Sequence, residues 1–256
     1  MTRATLALLI AIALCGQGVL AQDPPSIPRP VARSQSSTPP PADAATPEPA
    51  QPPADAAKPD PDPSIRQTLR EAPGALKACL ADLKDRGVVF TRPAPLAEPD
   101  DRDCGIVNPV SVTAFGAVSI GGAAPMRCDL AVALAGWLAD FVQPASARLG
   151  HGPVTALVPG STYECRRRNN RPDGLLSEHA FGNAFDVMSF TFQDGTTLPV
   201  LPRQDEGGLE EAFQRAVRGA ACLDFTTVLG PGSDPSHEQH LHLDIRDRKG
   251  GYRLCQ

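Results

Sequence analysis

The chain has 256 residues, a formal net charge of −5 and 41% hydrophobic residues, and many of its 28 prolines precede residue 64. Length alone therefore overstates the folded part. The mild negative charge is spread along the chain, which excludes the basic surface of a nucleic-acid-binding protein, so we expect no nucleic-acid partner.

Residues 1–21 have the pattern of a secretory signal peptide. A basic start at Arg3 precedes an apolar run from Leu6 to Leu14, and a small residue, Ala21, suits cleavage after it. The apolar run is too short to span a bilayer. A lipoprotein would need Cys15 as its modified residue, but the leucine before it is large. We therefore expect a secreted or periplasmic protein with no transmembrane span after cleavage.

Residues 22–63 are dominated by Pro, Ala, Ser and Asp. The near repeat Pro-Pro-Ala-Asp-Ala-Ala-x-Pro occurs at Pro40–Pro47 and again at Pro52–Pro59. Such a segment cannot bury enough surface to offset its ordering entropy, and its prolines favour extended conformations. We predict a disordered or semi-rigid linker, most simply a tether, followed by one folded domain over residues 64–256.

Helix and strand patterns are mixed along the folded domain, which predicts an α+β fold. Helical spacing of apolar residues covers Gly74–Arg86, with Gly87 as the stop, then a helix from Asp129 as cap to Phe141 or Val142, and Glu206–Ala221. Strand patterns cover Val88–Thr91, Ile106–Phe115, Val154–Val158, Ala184–Phe190, Phe225–Leu229 and His240–Ile245. Asp194-Gly195 predicts a hairpin turn within Thr191–Leu198.

Six cysteines remain once Cys15 leaves with the signal peptide, and an even number in an exported domain predicts disulfides. They are Cys79, Cys104, Cys128, Cys165, Cys222 and Cys255. No pair has the C-x-x-C spacing of a thiolate zinc site or a redox motif. Six cysteines allow about 15 pairings, so the connectivity stays open.

Two polar stretches hold four of the five histidines. The first runs from Ser177 to Val187 and contains His179 and Asp186, and the second runs from His237 to Asp244. Alternation in the second stretch places His240, His242 and Asp244 on one face of a strand. Two imidazoles and one carboxylate brought together from two strands would form a zinc site with an open fourth position. The basic runs are assigned to solvated surface at Arg167, Arg168 and Lys249.

These stretches resemble known zinc motifs. Ser177-x-His179-x-x-Gly182-x-Ala184-x-Asp186-Val187 resembles the signature of D-Ala-D-Ala carboxypeptidases, and His240-x-His242 resembles the closing motif of the LAS metallopeptidases. The spacing His237-x-x-His240-x-His242 is most similar to that of penicillin-insensitive murein endopeptidases.

A broader resemblance covers about Cys79 to Gln256. Tyr163-x-Cys165-Arg166, the stretch Ser177–Val187, the loop Leu229–Asp234 and the terminal Cys255 resemble the extensin-like C-terminal domain family of exported bacterial proteins. The plant glycoproteins in that name share mainly a proline-rich character, which here belongs to the linker.

The resemblance to the metallopeptidases implies a role for each matching residue. His179, Asp186 and His242 would be the Zn²⁺ ligands, and His240 the base for metal-bound water that attacks an amide. His237 would be a catalytic or orienting group. Arg166 would stabilise the oxyanion or hold a substrate carboxylate, and Ser177 is a further substrate-binding candidate. The implied fold is a small central antiparallel sheet flanked by helices, as in the Hedgehog amino-terminal domain and D-Ala-D-Ala peptidases, here stapled by disulfides.

Two functions follow from these expectations. The first is an exported zinc peptidase, an endopeptidase or carboxypeptidase, that acts on peptidoglycan peptides. The carboxypeptidases carry Glu three residues before their last ligand, but position 239 here is Gln, so the base must be His240. The alternative is a non-catalytic zinc-containing protein that binds or supports the cell wall. A Cu(I)-binding or chaperone module is disfavoured because the cluster lacks soft ligands.

Overall fold

The computed structural model describes residues 62–256. The predicted signal peptide and nearly all of the predicted linker lie outside the described residues. Within the part that the structure describes, no helix combines the length and apolar character needed to cross a membrane.

The described residues form five α-helices and eleven strands, joined by short 3-10 turns. The helices are α1 (Ile65–Thr68), α2 (Pro73–Asp85), α3 (Cys128–Trp137), α4 (Gln143–Ser146) and α5 (Leu209–Asp224). The strands are β1 (Val88–Thr91), β2 (Leu96–Ala97), β3 (Gly105–Ile106), β4 (Val110–Phe115), β5 (Val118–Met126), β6 (Val154–Pro159), β7 (Ala184–Phe192), β8 (Thr197–Pro199), β9 (Thr227–Leu229), β10 (Leu241–Asp244) and β11 (Leu254–Cys255).

Nine of these strands form one sheet in the order β1-β4-β5-β6-β7-β10-β9-β11, with β8 also paired to β7. The α+β prediction is confirmed, but the sheet is larger than the small central sheet that we expected. It is also mixed rather than purely antiparallel, because β5–β6 and β9–β11 pair in parallel. These two pairings join segments that are far apart in sequence, so no local sequence pattern predicts them.

The hydrophobic core lies between the helices and one face of this sheet. Leu134 and Trp137 of α3 pack there with Phe190 of β7, and the Trp137 indole N–H donates to the Val217 carbonyl at 2.8 Å. Leu241 and Leu243 of β10 belong to the same core. Because side chains alternate along a strand, the residues between and after them point to the opposite face.

The predicted helices are found, with shifted ends. α2 is followed by Gly87, whose φ of +70° is the left-handed conformation that favours glycine after a helix. The prediction that Asp129 caps α3 is wrong, since the cap position is Arg127 and Asp129 lies in the first turn. The helical path then continues through a π turn at Leu138–Val142 into α4.

The strand predictions missed one long element. β5 has nine residues and includes Gly121, Gly122 and Pro125, which are poor strand formers and hid it. The predicted strand Ile106–Phe115 is divided between β3 and β4. The predicted hairpin is confirmed, because β7 and β8 pair antiparallel and the Gly195 N–H donates to the Phe192 carbonyl at 3.0 Å.

Three disulfides confirm the prediction of structural cysteines. Cys79–Cys128 joins α2 to α3, and Cys222–Cys255 joins α5 to β11. Cys104–Cys165 holds the chain just before Arg166. Its sulfurs lie in a small apolar cluster with Ala180 and Phe181, so this bridge supports the segment that carries His179.

Candidate metal centre

Strands β7 and β10 place two of the predicted ligands opposite each other. They pair antiparallel, with His242 directly across from Asp186. On the other edge of β7 the Gly160 N–H donates to the Asp186 carbonyl at 2.9 Å. A Cβ at Gly160 would lie 3.1 Å from that of Asp186, so glycine allows this close approach. Asp186 is therefore held by neighbours on both sides.

A β-bulge in β7 keeps Asp186 on the polar face and the aromatic residues in the core. The register passes from Val158 opposite Ser189 to Pro159 opposite Val187, which leaves Met188 as an extra residue. Strict alternation would place Asp186 and Phe190 on the same face. The bulge instead lets Asp186 and Met188 line a cleft while Phe190 packs in the core.

The third predicted ligand comes from a 3-10 turn, Glu178–Phe181, just before β7. The Ser177 hydroxyl accepts a hydrogen bond from the His179 N–H at 3.4 Å, and Gly182 ends the turn with a φ of +66°. A Cβ at Gly182 would collide with Ile106, so glycine allows close packing of that core side chain.

Three side-chain atoms converge on the floor of the cleft. His242 Nδ1 lies 2.9 Å from Asp186 Oδ1, His179 Nε2 lies 3.2 Å from the same oxygen, and the two nitrogens are 3.2 Å apart. All three side chains are buried or nearly so, with Asp186 at 4% and His179 at 1% exposure. The structure thus brings together the three residues that the motifs pointed to.

Hydrogen bonds on the outer side of each imidazole fix which nitrogen faces the cluster. His179 Nδ1 is 2.7 Å from the Thr162 carbonyl, which can only accept, so Nδ1 carries a proton. His242 Nε2 is 3.2 Å from Asp244 Oδ2, which fixes its N–H in the same way. Neutral imidazoles would then direct two lone pairs at a carboxylate oxygen, an arrangement that requires a positive charge between them.

The pKa shifts of His242 and Asp186 also indicate that the cluster needs a positive charge. Burial opposes a charged His242, yet the hydrogen bonds with Asp186 and Asp244 outweigh it and raise the pKa of His242 to about 9. Burial also opposes the Asp186 carboxylate, but its close contacts with the His179 and His242 imidazoles hold its pKa far below the usual range. Without a metal, a proton on His242 supplies the positive charge.

The three atoms fit a zinc ion. Ligands 2.0–2.1 Å from a tetrahedral zinc are about 3.3 Å apart, close to the spacings of this cluster. Two neutral nitrogens and one carboxylate oxygen are also the usual donors of open zinc sites. A second group in the described residues, Asp101 with Cys104 and Cys165, is unsuitable because its cysteines form a disulfide.

His240 and His237 lie beside the three ligand candidates. His240 Nε2 is 3.8 Å from Asp186 Oδ1, and burial together with the charges of the neighbouring histidines lowers the pKa of His240, although Asp186 opposes this. His237 Nδ1 lies 2.7 Å from Asp234 Oδ2, and its ring centroid is 5.1 Å from that of His240. His240 is the more exposed and faces the cleft.

All of the predicted site residues line a single cleft with a volume of about 530 Å³. They are Arg166, Ser177, His179, Asp186, His237, His240 and His242. Arg166 Nε donates to Glu164 at 2.7 Å, so this guanidinium is already paired on one side. The chemical roles of these residues stay predictions, but their convergence does not depend on the roles.

Sequence reasoning missed part of the cleft. Arg168 was assigned to solvated surface, and its side chain is 41% exposed, but it also lines the cleft with Arg246 and Arg248. Asp234, the partner of His237, was also missed. The alternation that selected His240, His242 and Asp244 continues to residues 246 and 248, so extending it would have found two of these arginines.

The fold and this site define a disulfide-linked α+β protein with a buried His-Asp-His cluster at the floor of a cleft. Residues 77–256 match the family model described as extensin-like protein C-terminus. Because that match covers most of the chain, the chain belongs to this family, and the family prediction is confirmed. Curated proteins and solved structures yield no match to the chain. The likeness to Hedgehog and to zinc peptidases therefore stays a prediction.

Proposed function

We propose that this protein is an exported zinc-dependent peptidase that hydrolyses peptide bonds of peptidoglycan. The observation that carries the proposal is the convergence of His179 Nε2, Asp186 Oδ1 and His242 Nδ1 within 2.9–3.2 Å of one another. The outer hydrogen bonds to Thr162 and Asp244 orient both imidazoles toward this point. The resemblance of the two motifs to murein metallopeptidases supports the substrate assignment.

His179, Asp186 and His242 would hold the zinc ion. Zinc bound there would supply a Lewis acid that lowers the pKa of water and polarises an amide carbonyl. Asp244 would keep His242 in the ligating tautomer through its bond to Nε2. The Thr162 carbonyl would do the same for His179.

His240 would accept the proton from the attacking water at Nε2. This nitrogen lies 3.8 Å from Asp186 Oδ1, and a lowered pKa keeps it unprotonated at neutral pH. The proton would then pass from Nε2 to the leaving amine. His237 is held by Asp234 and lies against His240, so it would fix the orientation of the base.

Arg166 and Ser177 would position the peptide in the cleft. Arg166 is anchored through Nε by Glu164, which leaves its terminal nitrogens available to an amide oxygen. The Ser177 hydroxyl already accepts the His179 N–H, and it retains a proton to donate. Both residues line the same cleft as the ligand candidates.

A structural role for zinc is the second candidate. The three ligand candidates come from β7, β10 and the 3-10 turn before β7, so a bound metal would tie these elements together. A wall-binding protein could use zinc in this way without catalysis. The two functions differ in their need for His240, which is not among the three ligand candidates.

The test combines metal analysis with a murein assay. We would measure zinc per chain and the muropeptides released from sacculi for the wild type, His179→Ala, His240→Ala and the control His151→Ala. His151 lies outside the cleft and pairs with Asp194. We expect His179→Ala to lose zinc and activity, and His240→Ala to lose activity while keeping zinc. An inactive wild type that holds zinc would overturn the peptidase and favour the structural role.

A further inference from the structure

The polar face of β10 continues into a group of arginines. His240, His242 and Asp244 line the cleft, and Arg246 and Arg248 follow at the same two-residue spacing. Arg168 lines the cleft as well, from the segment that precedes the His179 turn. We call Arg168, Arg246 and Arg248 the arginine group.

The arginine group has more positive charge than its carboxylate neighbours, Glu178 and Asp244, can balance. Arg168 Nη2 and Arg246 Nε lie 3.6 and 3.7 Å from the same oxygen, Glu178 Oε1, which is too far for hydrogen bonds. The other Glu178 oxygen accepts from Asn183 at 3.0 Å. Within residues 62–256, Arg248 has no carboxylate within 4 Å. Glu178 therefore lies near two guanidinium groups without a hydrogen bond to either.

Contacts inside the protein hold the Arg248 side chain in place. Arg248 Nη1 donates to the Thr226 carbonyl at 2.8 Å, and its Nη2 donates to the Thr227 hydroxyl at 2.6 Å. Burial, and then the charge of Arg246, lower the pKa of Arg168. The charge of Asp244 also acts on Arg168, so Asp244 and Glu178 together offer two carboxylates to three guanidinium groups. A cleft end whose guanidinium groups keep a net positive charge favours an anionic ligand.

We infer that the arginine group binds a carboxylate of the peptide substrate, on the side of the cluster that lies beyond Asp244. Guanidinium groups pair with carboxylates through two parallel hydrogen bonds, and a peptide offers carboxylates at its C-terminus and on acidic side chains. The inference rests on the proposed function because it takes the ligand to be a peptide. It adds that an acidic peptide is preferred to its neutral counterpart.

Binding without turnover tests this inference separately from catalysis. The full chain with His240→Ala, loaded with zinc, is titrated into a fluorescently labelled peptidoglycan stem peptide. Matched peptides carry an amide in place of either the terminal or the side-chain carboxylate. We expect one replacement to weaken binding by about tenfold, the effect of one charge-assisted hydrogen-bonded pair. The replacement that weakens binding identifies the carboxylate.

A second substitution assigns the effect to the arginine group. Arg246→Gln in the same background should weaken binding of the acidic peptide by about tenfold. It should leave the affinity for the matching amide peptide unchanged. Arg148→Gln removes the same charge from an exposed position outside the cleft and should change neither. Equal binding of acidic and amide peptides, or no binding of either, would overturn the inference. Cleavage of sacculi by the wild type would still stand in that case.

Discussion

The two faces of β7 and β10 are both buried, yet burial has opposite consequences on them. On the helix side, Leu243 and Phe190 are almost fully buried among apolar side chains, and their removal from water stabilises the fold directly. On the cleft side, Asp186 and His242 are nearly as buried, and burial of ionisable groups is costly unless charge is balanced. The first face is complete as it stands, whereas the second needs a positive charge, which a proton on His242 or a bound metal ion would supply.

The largest effect should follow a change on the cleft face. Asp186→Asn keeps the shape of the side chain but removes the negative ligand, so we expect zinc to be lost and peptidase activity to fall by about a thousandfold or more. Zinc per folded chain and muropeptide release measure both effects. The exposed Asp247 provides the matched control, Asp247→Asn. Retained zinc in a folded Asp186→Asn protein would contradict the assignment of this ligand.

A change on the core face should act on stability instead. Phe190 packs against Trp137 and Phe213 with ring centroids 6.1 and 5.2 Å away. Phe190→Ala should lower the free energy of unfolding by about 3–5 kcal/mol, because it leaves a cavity in the core. Urea unfolding measures this loss, and the folded fraction should still bind one zinc. If zinc binding fell in proportion to stability, the two faces would not be separable.

The pH dependence of the metal-free protein should reveal the charge that zinc replaces. The folded-state pKa of His242 is raised to about 9 from its ordinary 6.5, so its stabilisation is complete below pH 6.5 and is lost as pH rises through 9. At about 1.4 kcal/mol per pKa unit, the loss is at most about 3 kcal/mol. Urea unfolding at pH 6 and pH 9 should show it in the presence of a chelator.

The zinc-loaded protein provides the contrast for this pH experiment. A metal ion bound as proposed would replace the proton on His242, so the fall in stability between pH 6 and pH 9 should be absent. A metal-free protein carrying His242→Gln should lack the fall as well. Parallel pH curves with and without zinc would show that the metal does not contact His242.

The smallest effect should come from a partner of the cluster. Asp244→Asn keeps an acceptor for His242 Nε2 but removes the charge that favours this tautomer, so zinc affinity should fall by about tenfold. Competition with a chromophoric chelator measures the affinity, with Asp247→Asn again as control. An unchanged affinity would mean that backbone pairing with Asp186 alone positions His242.

The predictability of each element depended on how local its signals are. α2 was predicted because its apolar spacing and the following Gly87 are neighbours in sequence. β5 was missed because its glycines and proline oppose its conformation, and pairing with β4 and β6 overrides them. The bulge at Met188 also has no local signal, although it decides which face Asp186 occupies.

The residues of the candidate site also differ in how far local sequence predicts them. Two short motifs with characteristic spacing were enough to select His179, Asp186, His240 and His242. The place of Arg168 in the cleft was missed, because it depends on the return of the chain from Arg167 to Leu176, which form an isolated bridge. Alternation predicts which residues share one face of a strand, but it does not predict which residues a loop brings to that face.

The sequence by itself determined the family, the α+β class, the set of six bridging cysteines and the residues of the His-Asp-His cluster. Each of these depends on residue types at short spacings. Only the tertiary structure decided the nine-stranded mixed sheet, the disulfide pairing, the tautomers of His179 and His242 and the arginine group beside Glu178. Those features depend on which distant segments meet, and the free energy that selects among pairings comes from burial of the whole core.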